Sequence, residues 1–521
     1  MKYSCVIYLS LLTLLSACGG AGGGNAGNDM PPLSVTASPT YSLTPYSVTS
    51  EPINNSGPVF FDVGSNYTNL VTAGMDPAKL NSILSQVNGD LLSRFTNLLQ
   101  EWTDNANLGR WRWGGLGNWN GFGNRGGHGH GYSQFRAYSN LVLQPSDVRS
   151  AYQMTNLTSS TNEFDQGAGQ TIYIIDAYHH SNIASDLAYF NSRFGLPTCS
   201  NTTLSASAIL PILSSTGGCT LTIAYANSTG GKLSNTAPVT NNSWATEIAT
   251  DVEWAHATAP KANIVLIEAV DASLGSLVSA IQLANQMGPG IVSMSFATPE
   301  GSWATSYESS LFAGTGITYV AAAGDSGSQV NWPAVSSKVI AVGGTTLSWD
   351  GNLSDRNELA WSGSGGGISQ YIPMPNYQIN TGIGSKYSTS MRTVPDVAFN
   401  ADPRSGQYVY ITLPGARSGA WYVIGGTSIA APQWSGILAV SYSQKIANRS
   451  TQPLNNALNS IYQYVGNIAQ TYSSDLFDVT SGSDANSSTC TTCDARISYD
   501  LVTGWGTPFS TSSLLTTLDN H

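Results

Sequence analysis

Ile317-Thr318-Tyr319-Val320-Ala321-Ala322-Ala323-Gly324-Asp325-Ser326-Gly327 is a short apolar run that stops at a Gly-Asp turn. A run of this length bounded by glycine reads as a buried strand. Similar runs are Thr171 to Ile175, Ile264 to Glu268, Ile291 to Phe296 and Lys338 to Val342. Helical patterns lie between them, at Trp244 to Ala257, Ser276 to Gln286 and Trp303 to Ala313. Strand alternating with helix predicts an α/β fold, a largely parallel sheet flanked by helices on both faces. Ligands of such sheets bind beyond the carboxyl ends of the strands, where Asp325 stands. A plain turn aspartate is the other reading of that residue.

The chain has 521 residues, room for one large domain and an appendage. Only 10% of residues are charged and the net charge is −11, which argues against nucleic acid as a partner. Lys2 precedes a mostly apolar stretch, Val6 to Leu15, too short to span a bilayer. It ends Leu15-Ser16-Ala17-Cys18 and resembles a bacterial lipobox, which makes residues 1–17 a lipoprotein signal peptide and Cys18 the lipidated residue. The expected location is the bacterial cell envelope, lipid-anchored at the outer membrane, or the extracellular space after processing. Setting aside Cys5 and Cys18, the six cysteines leave Cys199 with Cys219 and Cys490 with Cys493, the simplest disulfide scheme in an oxidising compartment. A lone C-x-x-C with no histidine nearby argues against zinc.

Residues 18–32 are Gly/Asn-rich and read as a tether. Residues 33–140 form an extension that reads as partly disordered. It holds one helical pattern, in Met75 to Thr103, and a Gly/Trp/Asn/His-rich stretch, Trp111 to Tyr132, which reads as an aromatic-studded linker in preference to the alternative, a metal or glycan site.

The chemistry centres on Gly425-Gly426-Thr427-Ser428-Ile429-Ala430-Ala431-Pro432. Glycines permit a tight turn, and Pro432 suits the first turn of a helix. Ser428 then sits at a helix N-terminus, as a nucleophile or as a simple N-cap. A nucleophile needs a base. Asp176 follows a strand, but His179, His180 and His256 lack the context of a histidine base. In Trp244 to Ala255, Glu247 and Asp251 are spaced i, i+4 and share one face of an otherwise apolar helix. Two acids so close share a proton, with one pKa raised.

These segments resemble the sedolisin family, serine-carboxyl peptidases of subtilisin-like fold, over residues 141–516. The motifs are G-T-S-x-x-x-P, E-x-x-x-D, and Gly324-Asp325-Ser326-Gly327 followed by Val342-Gly343-Gly344-Thr345. Val394-Pro395-Asp396-Val397-Ala398 and Tyr499-Asp500-x-x-Thr503-Gly504-x-Gly506 complete the set. The resemblance implies Ser428 as nucleophile, Glu247 as general base, Asp251 as its hydrogen-bond partner and Asp325 in the oxyanion hole. It implies peptide hydrolysis at acidic pH on protein or peptide substrates; the oligomeric state is left open, with a monomer the default. It also implies one structural Ca2+ held by the Asp478 and Asp500 carboxylates and the Val479, Arg496 and Ser498 carbonyls. The family usually has glycine where this chain has Arg496 and Ser498, so any positive φ needed there is in question. Ser293 to Phe296 and Gly365 to Ser369 are the candidate edges for an extended peptide. The usual long folded prodomain is not recognisable in 33–140, leaving a divergent inhibitor or a spacer, with self-cleavage near residue 140 releasing the enzyme. The alternatives are a His-dependent subtilisin-like protease and a non-catalytic surface binding protein.

Overall fold

A computed structural model describes residues 38–39, 42–48, 142–154, 162–212, 218–349, 351–353, 356–448, 457–485 and 490–520. The signal segment, the tether, the Met75 to Thr103 pattern, the Trp111 to Tyr132 stretch and the cut expected near 140 lie outside the described residues.

Seven parallel strands make the central sheet: β1 (Thr171–Ala177), β2 (Ser200–Thr203), β3 (Thr220–Ala226), β4 (Asn263–Ala269), β5 (Gly290–Met294), β6 (Ile317–Ala322) and β7 (Val339–Ser348). Their order across the sheet is β7-β6-β5-β1-β4-β3-β2. β7 outruns its apolar stretch because Val397–Asn400 continues its ladder in parallel and Asn357–Ala360 pairs antiparallel to its end. β1 and β4 to β6 are buried along their whole length, as strands covered on both faces must be.

Side chains alternate across a strand, and the alternation splits the core in two. Ile172, Ile174, Ile264, Leu266, Ile291, Val320 and Val342 pack toward α1 (Asn242–Thr258) and α3 (Thr427–Ala447). Tyr173, Ile175, Val265, Ile267, Val292 and Ala321 pack toward α2 (Leu274–Met287). The same parity turns Asp176 and Glu268, at the carboxyl ends of β1 and β4, to the α1/α3 side. α3 is buried from Thr427 to Ser443 and packs on α1. The helices touch at Gly436, where a Cβ would stand 2.6 Å from the Thr258 Cβ.

Three expectations need correction. Trp303 to Ala313 is not an α-helix; only a 3-10 turn, Ser302–Tyr307, forms. Seven of its eleven residues are Ser, Thr or aromatic, which are weaker helix formers, and Gly314 and Gly316 follow it. Ile291 to Phe296 is not one strand: β5 ends at Met294, and a new strand, Phe296–Pro299, leaves the sheet to pair with Asn331–Trp332. Pro432 is not in the first turn of its helix but in the second, since α3 starts at Thr427. Proline at 432 has no N–H for the Ser428 carbonyl, and that carbonyl accepts from the Ser295 hydroxyl instead, at 3.3 Å. The Cys199–Cys219 and Cys490–Cys493 disulfides form as expected.

Candidate active site

α1 delivers the two acids. Asn241 caps it by accepting from the Trp244 N–H at 3.1 Å. Every residue from Trp244 to Thr258 is buried, so this helix has no solvent face on which Glu247 and Asp251 could lie. Both are fully buried, and none of their oxygens is in a hydrogen bond of normal geometry. Glu253, two residues past Asp251, differs: its Oε2 accepts from the Tyr410 N–H at 3.0 Å.

Ser428 enters from the opposite helix. Gly426 makes the turn before α3 at φ 115°, a conformation that disfavours any side chain. Ser428 is the second residue of α3 and is fully buried. Its hydroxyl is the hydrogen-bonding group facing Glu247, and the Ser295 hydroxyl is the one facing Asp251. Ser428 Oγ also donates to the Ser295 carbonyl at 3.4 Å, a long contact. Loose hydrogen bonds are common in catalytic groups without substrate.

The electrostatics are one-sided. Burial raises the Glu247 carboxyl well above its ordinary value, and the negative neighbours Asp251, Asp176 and Asp325 add to the rise. Burial raises Asp251 likewise, with Asp176 beside it. Asp176 is itself raised, by burial and by Glu268, its register partner on the adjacent strand. Glu268 accepts from His179 Nδ1 at 2.6 Å and from the His180 N–H at 3.1 Å. Sequence reasoning placed Asp176 after a strand but gave it no part beside Glu247 and Asp251. Its signal was available: an aspartate in phase with Ile172 and Ile174 at the carboxyl end of a central strand.

Asp325 follows β6 and reaches Ser428 through Thr427. Its Oδ1 accepts from the Thr427 N–H and the Thr427 hydroxyl, both at 2.8 Å. Its Oδ2 has no partner. Burial pushes this carboxyl up to about 7, against the lowering effect of the Thr427 bonds. The glycine run Gly365 to Gly367 lies against the same turn, with the Gly365 N–H donating to the Gly324 carbonyl at 2.7 Å.

The histidines of the described residues stand elsewhere. His256 Nε2 takes the Pro197 carbonyl at 2.9 Å, Nδ1 faces Cys199 Sγ at 3.4 Å, and burial holds its pKa down at about 4. His180 Nε2 pairs with Asp186 at 3.0 Å. A histidine base for Ser428 has no candidate among the described residues.

Comparison with known proteins finds peptidases similar to this chain. The sequence model of the subtilase family, peptidase S8, matches residues 218–460. Kumamolisin of Bacillus sp. (strain MN-32) is 31% identical over 288 residues, 50% of this chain and 49% of kumamolisin. Sedolisin of Pseudomonas sp. (strain 101) is 29% identical over 189 residues, 34% of this chain and 28% of its own. The chain spans about half, or less, of the length of the curated relatives it matches. The solved Pseudomonas sedolisin, described as a serine-carboxyl proteinase with two molecules of pseudo-iodotyrostatin, shares the fold. The TM-score is 0.53 at 21% identity, over 73% of this chain and 98% of that one. The chain is thus similar to members of the sedolisin family.

In the loop near the C-terminus, the two expected calcium carboxylates meet backbone N–H groups of the same loop. Both Asp478 oxygens accept from the Ser498 N–H, at 3.1 and 2.9 Å. Asp500 Oδ2 accepts from the Arg496 N–H at 2.8 Å. Ser498 adopts φ 62°, so the left-handed conformation survives without glycine there. Arg496 is not among the positive-φ residues. Two carboxylates and a loop of carbonyls form a hard-oxygen donor set that fits calcium.

Proposed function

We propose that this chain is a serine-carboxyl peptidase that cleaves peptide bonds under acidic conditions. The observation that carries the reading is a buried serine hydroxyl facing Glu247, beside the fully buried acids Asp176 and Asp251 and the half-buried Asp325, none of which has a cationic partner among the described residues. Buried groups left unsatisfied in this way mark functional sites.

Ser428 attacks the scissile carbonyl while Glu247 takes its proton, and Asp251 and Asp176 keep Glu247 basic enough to accept it. The carbonyl oxygen becomes an oxyanion, and Asp325 answers it. Oδ1 already accepts two hydrogen bonds, so the proton of the neutral acid sits on Oδ2, the oxygen with no other partner. A carboxyl group donates there only while protonated, below about 7. Glu247 then passes its proton to the leaving amine, and water hydrolyses the acyl-enzyme by the reverse path.

Asp478, Asp500 and the Val479, Arg496 and Ser498 carbonyls would hold one calcium ion, which supplies charge neutralisation to the loop. The lipobox-like Leu15 to Cys18 and the two disulfides support a secreted or lipid-tethered location in an oxidising compartment. The test is hydrolysis of a mixed peptide library at pH 4 by the full chain and by its Ser428→Ala and Glu247→Gln forms. Hydrolysis lost in both variants supports the reading. Activity that persists in Glu247→Gln sinks the carboxylate base.

A further inference from the structure

Cys199, Cys219 and His256 meet at the edge of the central sheet. Cys199 stands just before β2 and Cys219 just before β3, and these two strands run side by side. The sulfurs are therefore at the amino ends of the parallel strands, opposite to the end that carries Asp325. His256 comes from the last turn of α1. One ligand atom of each residue lies within 4.8 Å of those of the other two.

The imidazole is oriented as a ligand. Its Nε2 lies 2.9 Å from the Pro197 carbonyl, which can only accept, so Nε2 carries the proton and Nδ1 presents its lone pair. Metal-binding histidines are ordinarily held by such a bond from the other ring nitrogen. Nδ1 faces Cys199 Sγ at 3.4 Å. A tetrahedral zinc ion, with bonds of about 2.3 Å to sulfur and about 2.0 Å to nitrogen, sets two such atoms about 3.5 Å apart. A fourth position also has a donor beside it. Cys199 borders a cavity of about 20 Å³ lined by Asn191, Thr198 and Leu221 among others. One water needs about 10–15 Å³. Asn191 is 1% exposed, and neither its Oδ1 nor its Nδ2 has a hydrogen-bond partner among the described residues. A buried amide left so is costly, and a water bound to a cation there would satisfy it.

We infer that Cys199, Cys219 and His256 form a redox-gated site for a thiolate-binding divalent cation such as zinc, with the Cys199–Cys219 disulfide and the metal as alternative cross-links. While the sulfurs are bonded to each other, neither is a thiolate, and the site is closed. A dithiol reductant opens it. One of its thiolates attacks Cys199 Sγ, which is half-buried where Cys219 is buried, and Cys219 leaves as a thiolate. The second thiol of the reductant then attacks its partner in the mixed disulfide and releases Cys199. The reductant has given two electrons and two protons and departs as a disulfide. Each cysteine thiol releases its proton as it binds the cation, and the sulfurs part to about 3.8 Å, the spacing of two sulfur ligands on one tetrahedral ion. The disulfide joins β2 to β3; the cation joins α1 to both. The inference stands apart from the peptidase reading and uses none of its residues.

The experiment titrates the full chain with Co2+, a visible stand-in for zinc, before and after reduction by a phosphine, which offers the cation no thiolate. The oxidised chain should show no thiolate–cobalt absorption. The reduced chain should show it, and Zn2+ should bleach it. Cys199→Ser should abolish the absorption. His256→Gln should weaken zinc binding about 100-fold or more, since even an outer partner of a metal ligand is worth about 10–100-fold. Cys490→Ser, which breaks the other sulfur pair, should change neither. Thermal melts of the reduced chains provide a second readout: zinc should raise the midpoint of the unsubstituted chain and of Cys490→Ser, and leave Cys199→Ser where it was. Absence of thiolate–cobalt absorption in the reduced, unsubstituted chain overturns the inference. So does absorption that survives Cys199→Ser, absorption that Cys490→Ser removes, or zinc binding that His256→Gln leaves unchanged.

Discussion

Two of the regions where this molecule buries carboxylates treat them oppositely. Toward the C-terminal half, Arg392 grips Asp396 with two parallel bonds of 2.7 Å, while Asp396 also accepts from the Ala341 N–H and the Tyr462 hydroxyl. Nearby, Glu358 takes Arg356 on Oε1 along with the Thr507 hydroxyl, and Thr345 and Tyr152 on Oε2. Every oxygen there is matched. Around Ser428, Asp176, Glu247 and Asp251 are equally buried with no oxygen matched, and the half-buried Asp325 has one oxygen matched by Thr427 and one not. A protein that stabilises buried ions so thoroughly in one place has the means to do so in the other. The unmatched cluster costs stability and is kept for its protons, the usual trade at a functional site.

The comparison breaks most directly by removing one partner on each side. Arg392→Met leaves Asp396 charged and alone, and should cost about 3–5 kcal/mol of stability. Glu247→Gln removes a repelled acid, and should leave stability at pH 7 unchanged or higher while abolishing hydrolysis. Urea melts of the two variants check this. If both lose stability alike, the contrast between the regions is false. Asp325→Ala should lower kcat by about 10²–10³-fold, the cost of one oxyanion donor, with little change in the melt. Steady-state kinetics at pH 4 measures it.

A smaller effect concerns pH. Each acid of the cluster binds its proton more tightly folded than unfolded. Its contribution to stability is full below the unfolded value, 3.8 for Asp325, and is lost as pH rises through the folded one, about 7. Thermal melts should therefore fall between pH 4 and 7, and fall less in Asp325→Asn. The calcium loop stands between the two extremes, its acids held by backbone N–H groups and, in our reading, by a cation. A chelator at pH 5 should remove about 2–3 kcal/mol, the linkage expected at roughly a hundred times Kd, and added calcium should restore it. Asp478→Ala should be indifferent to both.

Much of this contrast was legible in the sequence. The i, i+4 spacing of Glu247 and Asp251 sat in an apolar helix, and Asp325 closed an apolar strand, so burial of acids could be read from the company they keep. Strand parity carried Asp176 as well, but its side chain meets α1 only after β1 and α1 pack, and no local pattern names that partner. The matched pairs hide for a similar reason: Tyr152 and Thr507 reach Glu358 across long stretches of chain. Trp303 to Ala313 has helical spacing but weak helix formers, and packing did not rescue it. Ser295 leaves its predicted strand because its carbonyl and hydroxyl are engaged by Ser428, a tertiary demand that outweighs the apolar run.

The central claim is that protonated acids, not a histidine, serve Ser428. Its most direct test is the pH–rate profile of peptide hydrolysis from pH 3 to 8, for the full chain and for Asp325→Asn, whose amide donates without a proton. The account predicts acid-side activity that declines as pH passes about 7, and a decline moved to higher pH in the variant. A rate that climbs from pH 5 to a plateau at pH 8, unmoved by the variant, would contradict it.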